Sequence, residues 1–418
     1  MIELVNSEND KINVETKSKS IVISLEKLSI MSFQLYFVTL FIFVDSVKYN
    51  FLSEIAFVIF AGFTILLIFR DGKLYAHDYI KYLSLFIIYS GMTTLWAINP
   101  SYVVIRLKTL LQIFIMCIFV YQVFFKTQNF GSLRNLFVIT GVSFFGFAIL
   151  TYGFNGLISS LLGGIRLGKE ISQENVFGMY ASTLGVIYLY MIIYEKKSKY
   201  FCLFAMMILL ITASGSRKAF LAILFGFIVI LLMKFGLKRL YKIIFYLLIG
   251  GITSYIVLQM PIFNLVLQRV SELVDVLSGG QSDYSAVLRK EFIISGLHWF
   301  YNRPLHGFGV DNYQILAATY LGTPSYAHNN YIELLVNGGI IGFTTYYVMY
   351  YKILAKLIKR VRIKSSINNI LILIFSMFLF YDTASVSYLT KINYIFIAIG
   401  FAYVKRYNYK NQMNQIKG

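Results

Sequence analysis

Apolar runs of roughly 13–23 residues recur along the whole of this 418-residue chain, and they leave few folds open. The longer runs match a helix that crosses the hydrocarbon layer, and the shorter ones do so with a few flanking residues. Twelve of them lie near residues 28–44, 53–69, 80–98, 107–125, 136–152, 176–194, 200–213, 219–233, 242–258, 332–354, 367–380 and 392–404. Only 14% of the residues are charged, against about a quarter in soluble domains. Lipid offers the backbone no hydrogen-bond partner, so spans of this length are helical. The expected fold is all-α: an integral membrane protein of about 12 transmembrane helices, one polytopic domain over residues 1–418.

The formal net charge of +19 first suggests nucleic acid, but its distribution argues otherwise. With the N-terminus placed inside, the cytoplasmic segments after the first span hold 22 lysines and arginines, and the shorter outer loops hold 8. That bias orients the chain with both termini cytoplasmic and makes the basic excess a topology signal, with no nucleic-acid partner. The first 27 residues mix acids and lysines, unlike a secretory signal, so an uncleaved chain is expected. Cys117 and Cys202 both fall within spans and predict neither disulfide nor metal site. No span carries an ionisable residue near its middle. Glu54, Arg106, Glu174 and Asp382 sit at span ends, which disfavours an ion-coupled transporter.

One connection is long: residues 259–331, expected on the outer side. Gly279-Gly280-Gln281-Ser282-Asp283 is a turn-rich break. From Tyr284 the chain reads as an amphipathic helix with Tyr284, Val287, Leu288, Phe292 and Trp299 on one side. Trp299 and Tyr301 suit a headgroup boundary, so the helix is expected to lie on the outer leaflet and to end at Pro304. Pro304-Leu305-His306-Gly307-Phe308-Gly309 then forms a tight turn.

Candidate chemistry clusters at the ends of spans. In Ser214-Gly215-Ser216-Arg217-Lys218, two outer cations run against the charge bias. Ser216 suits the N-cap of the eighth span, and Arg217 in its first turn makes an anion site; a solvated turn beneath lipid headgroups is the alternative. Arg289 and Arg166 are further phosphate-ligand candidates, each with a solvated loop or helix charge as the bland alternative. His328 could serve as a general base at its ordinary pKa of about 6.5, or merely cap the tenth span, with Asn329 or Asn330 as N-cap. Glu333, one turn inside, could orient the imidazole, hold a sugar hydroxyl or pair with an arginine. No cluster has metal-ligand spacing and no nucleotide loop appears, so neither metal nor cofactor is expected.

Taken in order, Ser214-Gly215-Ser216-Arg217, a large outer loop with Arg289 and Pro304-Leu305-His306-Gly307-Phe308-Gly309, and His328-Asn329-Asn330-Tyr331-Ile332-Glu333-Leu334 followed by Gly338-Gly339-Ile340-Ile341-Gly342 resemble the O-antigen ligase and O-antigen or capsule polymerase superfamily. The resemblance runs from about Ser214 to Phe343 by motif, and over the whole chain by span count. It implies a GT-C-like membrane glycosyltransferase of the bacterial cytoplasmic membrane, metal-independent and inverting, with its site facing outside. Its donor would be a glycan on undecaprenyl diphosphate, with a glycan acceptor and with other polysaccharide-assembly proteins as possible partners. By resemblance Arg217 and Arg289 hold the diphosphate and His328 is the base. Arg166 and Asn175 correspond more loosely, because the family pattern Pro-Asn is replaced by Gln173-Glu174-Asn175.

Polymerisation of lipid-linked repeat units is the expected reaction, since strongly divergent members are more often polymerases. Ligation of finished glycan to lipid A core or protein is the alternative. A lipid-linked oligosaccharide transporter is the alternative of another class. The donor's lipid tail would need a groove, which Gly338, Gly339 and Gly342 are expected to help shape through close helix approach.

Overall fold

Each of the twelve apolar runs is found as a helix. The computed structural model describes residues 24–417 apart from 44, 47, 76–77, 163–164, 261–262, 264–266, 269–270, 272–283 and 361–364. The turn-rich break at residues 279–283, the glycines at 163–164 and His77 lie outside the described residues. Fourteen α-helices and no strands occur among the described residues: α1 (Leu25–Phe43), α2 (Asn50–Asp71), α3 (Asp78–Met92), α4 (Pro100–Thr127), α5 (Ser132–Leu161), α6 (Glu174–Ile193), α7 (Phe201–Ser214), α8 (Arg217–Phe235), α9 (Leu240–Leu258), α10 (Tyr284–Asn302), α11 (Tyr313–Leu321), α12 (Asn330–Lys359), α13 (Ser366–Asp382) and α14 (Lys391–Lys417). Eight of them, α1, α2, α4, α5, α6, α8, α9 and α12, are long and apolar enough to cross a membrane, and α7 and α13 are shorter apolar helices. This is the architecture of a polytopic membrane protein.

The helices pack through rings and small residues. Phe33, Phe37 and Phe60 are fully enclosed, with Phe33 edge-on to Phe124 at 5.0 Å. Gly226 of α8 lies so close to α6 that an added Cβ would stand 2.5 Å from Val186 Cγ1. With no hydrophobic drive between helices in lipid, such close approach supplies the van der Waals contact that holds them. Facing outward, Phe69 and Leu150 are 78% and 84% exposed, as expected of side chains that meet acyl chains.

Helix α12 is broken at Gly339, where φ is 62° and ψ is −166°. The break frees ladder groups, and the turn after α10 takes them up. Phe308 N donates to Val336 O at 2.9 Å and Gly309 N to Asn337 O at 2.8 Å, while Ile340 N donates to Pro304 O at 2.8 Å. A Cβ on Gly339 would fall 2.3 Å from the Leu305 carbonyl, and one on Gly307 would fall 2.6 Å from the Asn337 backbone. Only glycine fits both places. The expected lipid groove at these glycines is therefore not what they form. They seat a loop inside a broken helix, and Gly338 and Gly342 face the Tyr89 ring. Tyr89 Oη locks the joint by donating to Gly338 O at 2.7 Å.

Helix α10 ends before Pro304 as expected, but its apolar side does not face lipid. Phe292 and Trp299 join Tyr313, Leu316, Ile332 and Val336 in a small core shared with α11 and α12. Trp299 is only 5% exposed and meets Tyr313 edge-on at 5.2 Å, whereas Tyr301 is 74% exposed. Gly296 permits the approach, because a Cβ there would stand 2.4 Å from Ile332 Cγ2. Periodicity shows that one side of a helix is buried, and here the burying surface is protein. Arg106 of α4 pairs with Asp311 at 2.7 Å and ties the loop to the bundle.

Candidate active site

Three chain segments and one turn meet above the ends of α8, α12 and α13. The turn is the α7–α8 connection, where Gly215 adopts the left-handed conformation with φ of 57°. Ser216 takes the N-cap position of α8 with extended backbone angles, but its side chain makes no capping bond. The expectation of a capping hydroxyl is corrected: Oγ is buried and is without a hydrogen-bond partner among the described residues. Ser214 does the local work, accepting from Ser216 N at 3.2 Å and donating to Ile211 O at 2.7 Å. Arg217 and Lys218 follow in the first turn of α8, beside backbone N–H groups at the positive end of the helix.

The second segment is α10, which carries Arg289 half-buried. The third is the approach to α12. His328 stands there with φ of 54°, a left-handed conformation uncommon for a residue with a Cβ. Asn329 is the N-cap of α12, its Oδ1 accepting from Ile332 N at 3.1 Å. Glu333 is 2% exposed; it accepts from Ala327 N at 2.7 Å and from Asn337 Nδ2 at 3.0 Å. Glu333 thereby reaches back along the chain and pins the segment that presents His328.

His328 lies between two rings, at 4.1 Å from Tyr326 and 6.0 Å from Phe292, the second nearly parallel at 22°. Arg289 and Lys218 are within electrostatic reach of the imidazole, and Arg217 and Arg289 are within reach of Lys218. Burial first, then Arg289 and Lys218, push the imidazole down to about 4. At neutral pH the ring is therefore neutral and can accept a proton. The unperturbed value of about 6.5 does not apply in this surrounding.

Beneath lies the α13–α14 connection. Lys218 Nζ donates to the carbonyl of Ala384, and Asn329 Nδ2 to that of Thr383 at 3.2 Å. The loop is held by Asn330, which is fully buried. Its Oδ1 accepts from Ser387 N at 2.9 Å and Tyr388 N at 3.0 Å, and its Nδ2 donates to Tyr347 Oη and Asp382 Oδ2. Asp382 also accepts from Tyr347 Oη at 2.8 Å and from Ser387 Oγ. In the sequence Lys218 reads only as the second cation of a turn that runs against the charge bias, and Asn330 only as a possible N-cap. Asp382 carried only its place at a span end.

Arg166 and Asn175 stand apart from this meeting point. Arg166 Nε donates to Ser214 O at 2.8 Å, and its other guanidinium nitrogen donates to Asn175 Oδ1 at 3.1 Å. With Leu167 N donating to Ala213 O at 2.9 Å, they stitch the α5–α6 connection to the back of the Ser214–Lys218 turn. The structure thus brings Arg217, Lys218, Arg289 and His328 together, and sets Arg166 and Asn175 behind them as supports. Among the described residues no three His, Cys, Asp or Glu side chains gather as a metal site would need.

A group of cations beside a neutral imidazole suits chemistry on an anionic substrate. No curated protein matches the chain. Residues 202–347, which span α7 to the middle of α12 and include Arg217, Lys218, Arg289 and His328, match the family model described as O-antigen ligase. Over those residues, which carry the candidate site, the chain is similar to the O-antigen ligase family.

Proposed function

We propose that this protein transfers a glycan from undecaprenyl diphosphate to a sugar hydroxyl at the outer face of the bacterial cytoplasmic membrane, with both termini cytoplasmic. The observation that carries the proposal is that Arg289 and Lys218 lie within electrostatic reach of His328, with Arg217 in turn within reach of Lys218. The acceptor oxygen attacks the anomeric carbon from the face opposite the diphosphate. The new glycosidic bond forms as the bond from that carbon to the phosphate oxygen breaks, and the configuration inverts. The acceptor proton passes to His328, and the electron pair leaves on undecaprenyl diphosphate. The three cations face the charge that grows on that leaving group, which is where fixed charge lowers a barrier most. In this mechanism they take the part that a divalent ion plays in other transferases, so activity is independent of added metal.

The cleft also tunes its own base. Burial first, and then Arg289 and Lys218, hold His328 neutral and weakly basic. A bound diphosphate offsets their charge and raises the basicity of the imidazole, so the proton acceptor strengthens when donor is present. Asp382, Asn330 and Glu333 act by holding Asn329, His328 and the Ala384 carbonyl in place, and the Ser214–Ser216 turn, backed by Arg166 and Asn175, does the same for Arg217.

We favour polymerisation of lipid-linked repeat units into O-antigen or capsule. Ligation of finished glycan to lipid A core or protein is the second reading, and the description of the matching family, O-antigen ligase, favours it. Analysis of glycans in a deletion strain separates the two. Single repeats on the carrier lipid mean that the protein polymerises. Long chains left on the carrier mean that it ligates. An unchanged glycan profile overturns both.

A further inference from the structure

We infer that the groove between α10 and α11 is a binding site for the glycan chain, beyond the sugar that reacts. The groove encloses about 630 Å³, within the roughly 300–1,000 Å³ range of small-molecule sites. Its walls include Ser295, His298, Trp299 and Asn302 from α10, Arg303 just beyond it, and Tyr320 from α11. It is separate from the cleft at His328, whose ring neighbours are Tyr326 and Phe292.

The chemistry of the walls matches a sugar chain. Tyr320 is 67% exposed and leans over Trp299, with ring centres 6.0 Å apart at 40°. An exposed ring above a buried one offers a face for the C–H side of a pyranose. The side chains of Ser295, His298 and Asn302 make no hydrogen bond with protein among the described residues, which leaves donors and acceptors for hydroxyls. Arg303 has its guanidinium 4.7 Å above the Phe308 ring and pairs with no carboxylate among the described residues. Stacking fixes it in the groove wall, where it suits an acidic substituent on the chain.

Position says which part of the substrate sits there. Phe292 touches His328 and Trp299 lines the groove, and both lie on one side of α10, seven residues apart. At the rise of an α-helix that is about 10.5 Å. A glycan whose end sugar reaches His328 therefore extends along α10, with its following sugars over Trp299 and Tyr320. The same element holds Arg289 for the diphosphate and the groove for the chain. Chemistry and grip are thus set on one rigid rod.

The identity of the occupant rests on the glycan-transfer reading, whereas the test below reads binding without turnover. The full chain in nanodiscs is titrated with short oligosaccharides cut from the host's own surface polysaccharide. Tyr320→Ala and Arg303→Ala should each weaken this binding about tenfold, the weight of one stacked ring or one charged hydrogen bond. Binding of the lipid-linked donor at the cations, and thermal unfolding, should stay as in wild type. In turnover, the acceptor KM should rise with kcat unchanged. Unaltered oligosaccharide binding in both variants overturns the site. So does a loss by Arg303→Ala of affinity for anionic phospholipid vesicles with sugar binding intact, which would make the groove a headgroup site. Oligosaccharide binding by a wild-type protein that transfers nothing would keep the groove and sink the reaction.

Discussion

Asn330 Nδ2 lies 3.3 Å from Asp382 Oδ2, and this buried contact joins the first residue of α12 to the last residue of α13. Through it the amide that opens the candidate catalytic helix also clamps the backbone of Ser387 and Tyr388. Removing the carboxylate leaves Asn330, Tyr347 and Ser387 each short of a partner. Each buried polar group left unsatisfied costs about 1–3 kcal/mol. Asp382→Ala should therefore lower the unfolding midpoint of the purified protein by several degrees and reduce turnover. Asp382→Asn, which keeps the shape and part of the bonding, should lose less. Equal midpoints for Asp382→Ala and wild type would remove the clamp from the mechanism.

Gly339→Ala should unseat the outer loop. The residue would have to hold φ of 62° and meet the Leu305 carbonyl at 2.3 Å. That glycine-only combination of positive φ and extended ψ alone costs a residue with a Cβ about 1–3 kcal/mol, and the clash adds to it. Gly62→Ala, in the middle of α2 with nothing within 4 Å, is the control and should be neutral or slightly stabilising. Limited proteolysis and thermal unfolding compare the two. A Gly339→Ala protein as stable and protected as Gly62→Ala would mean that the break in α12 is dispensable.

Lysine should replace Arg217 and Arg289 poorly. A guanidinium gives a two-point contact with an oxyanion that an ammonium cannot copy. Alanine at either position should reduce transfer at least a hundredfold, since a charged hydrogen bond is worth about 1.5–3 kcal/mol and more where charge develops. Insertion in the membrane, checked by blotting of the membrane fraction, should be unchanged. Wild-type polymer from Arg217→Ala would reduce that residue to a turn charge.

The pH profile reports the neighbours of His328. Burial, and then Arg289 and Lys218, lower its imidazole to about 4. A lowered pKa keeps the base form present as pH falls, so kcat/KM should hold well below neutrality and drop only as pH passes through about 4. The kcat limb, which reads the occupied site, should lie at higher pH because the diphosphate offsets the cations. Arg289→Lys keeps the charge, and Arg289→Gln removes it and should move the kcat/KM limb upward. A limb that stays in place on loss of that charge, or survives in His328→Ala, would show that another group titrates.

Topology is open to a direct probe. Cys202 is exposed on α7 and is replaced by serine, while Cys117 is buried and is retained. A cysteine at the exposed Thr323 should then react with an impermeant thiol reagent from outside. Labelling only after lysis would put the cleft on the cytoplasmic side.

Much of this molecule was legible in its sequence, and the remainder follows a pattern. Hydropathy placed a helix at each of the twelve apolar runs, eight of them long enough to cross a membrane, because lipid forces the backbone to close its own bonds. Arg217, Arg289 and His328 stood out because charge against the topology bias and a histidine ahead of a glycine-rich span are rare in such a chain. The Asn330–Asp382 bond was not legible, since it joins positions 52 residues apart with no local signature. Nor was the use of Gly339. A glycine pair in a span fits close helix approach as well as a break, and the Pro304 turn that fills the break lies well upstream in the sequence. The stripe on α10 was read correctly as buried and wrongly as facing lipid. Periodicity reports that a face is covered and is silent on what covers it.

The central claim is that the cationic cleft at His328 moves glycan off a lipid diphosphate. It is tested by incubating purified protein in nanodiscs with undecaprenyl-diphosphate-linked oligosaccharide from the host, in the presence of a metal chelator, and counting free undecaprenyl diphosphate against new glycosidic bonds. Wild type should release one carrier for each bond formed, with inversion at the anomeric carbon, and Arg289→Ala should release almost none. Transfer by Arg289→Ala at the wild-type rate, or activity in wild type that vanishes with the chelator, would contradict it.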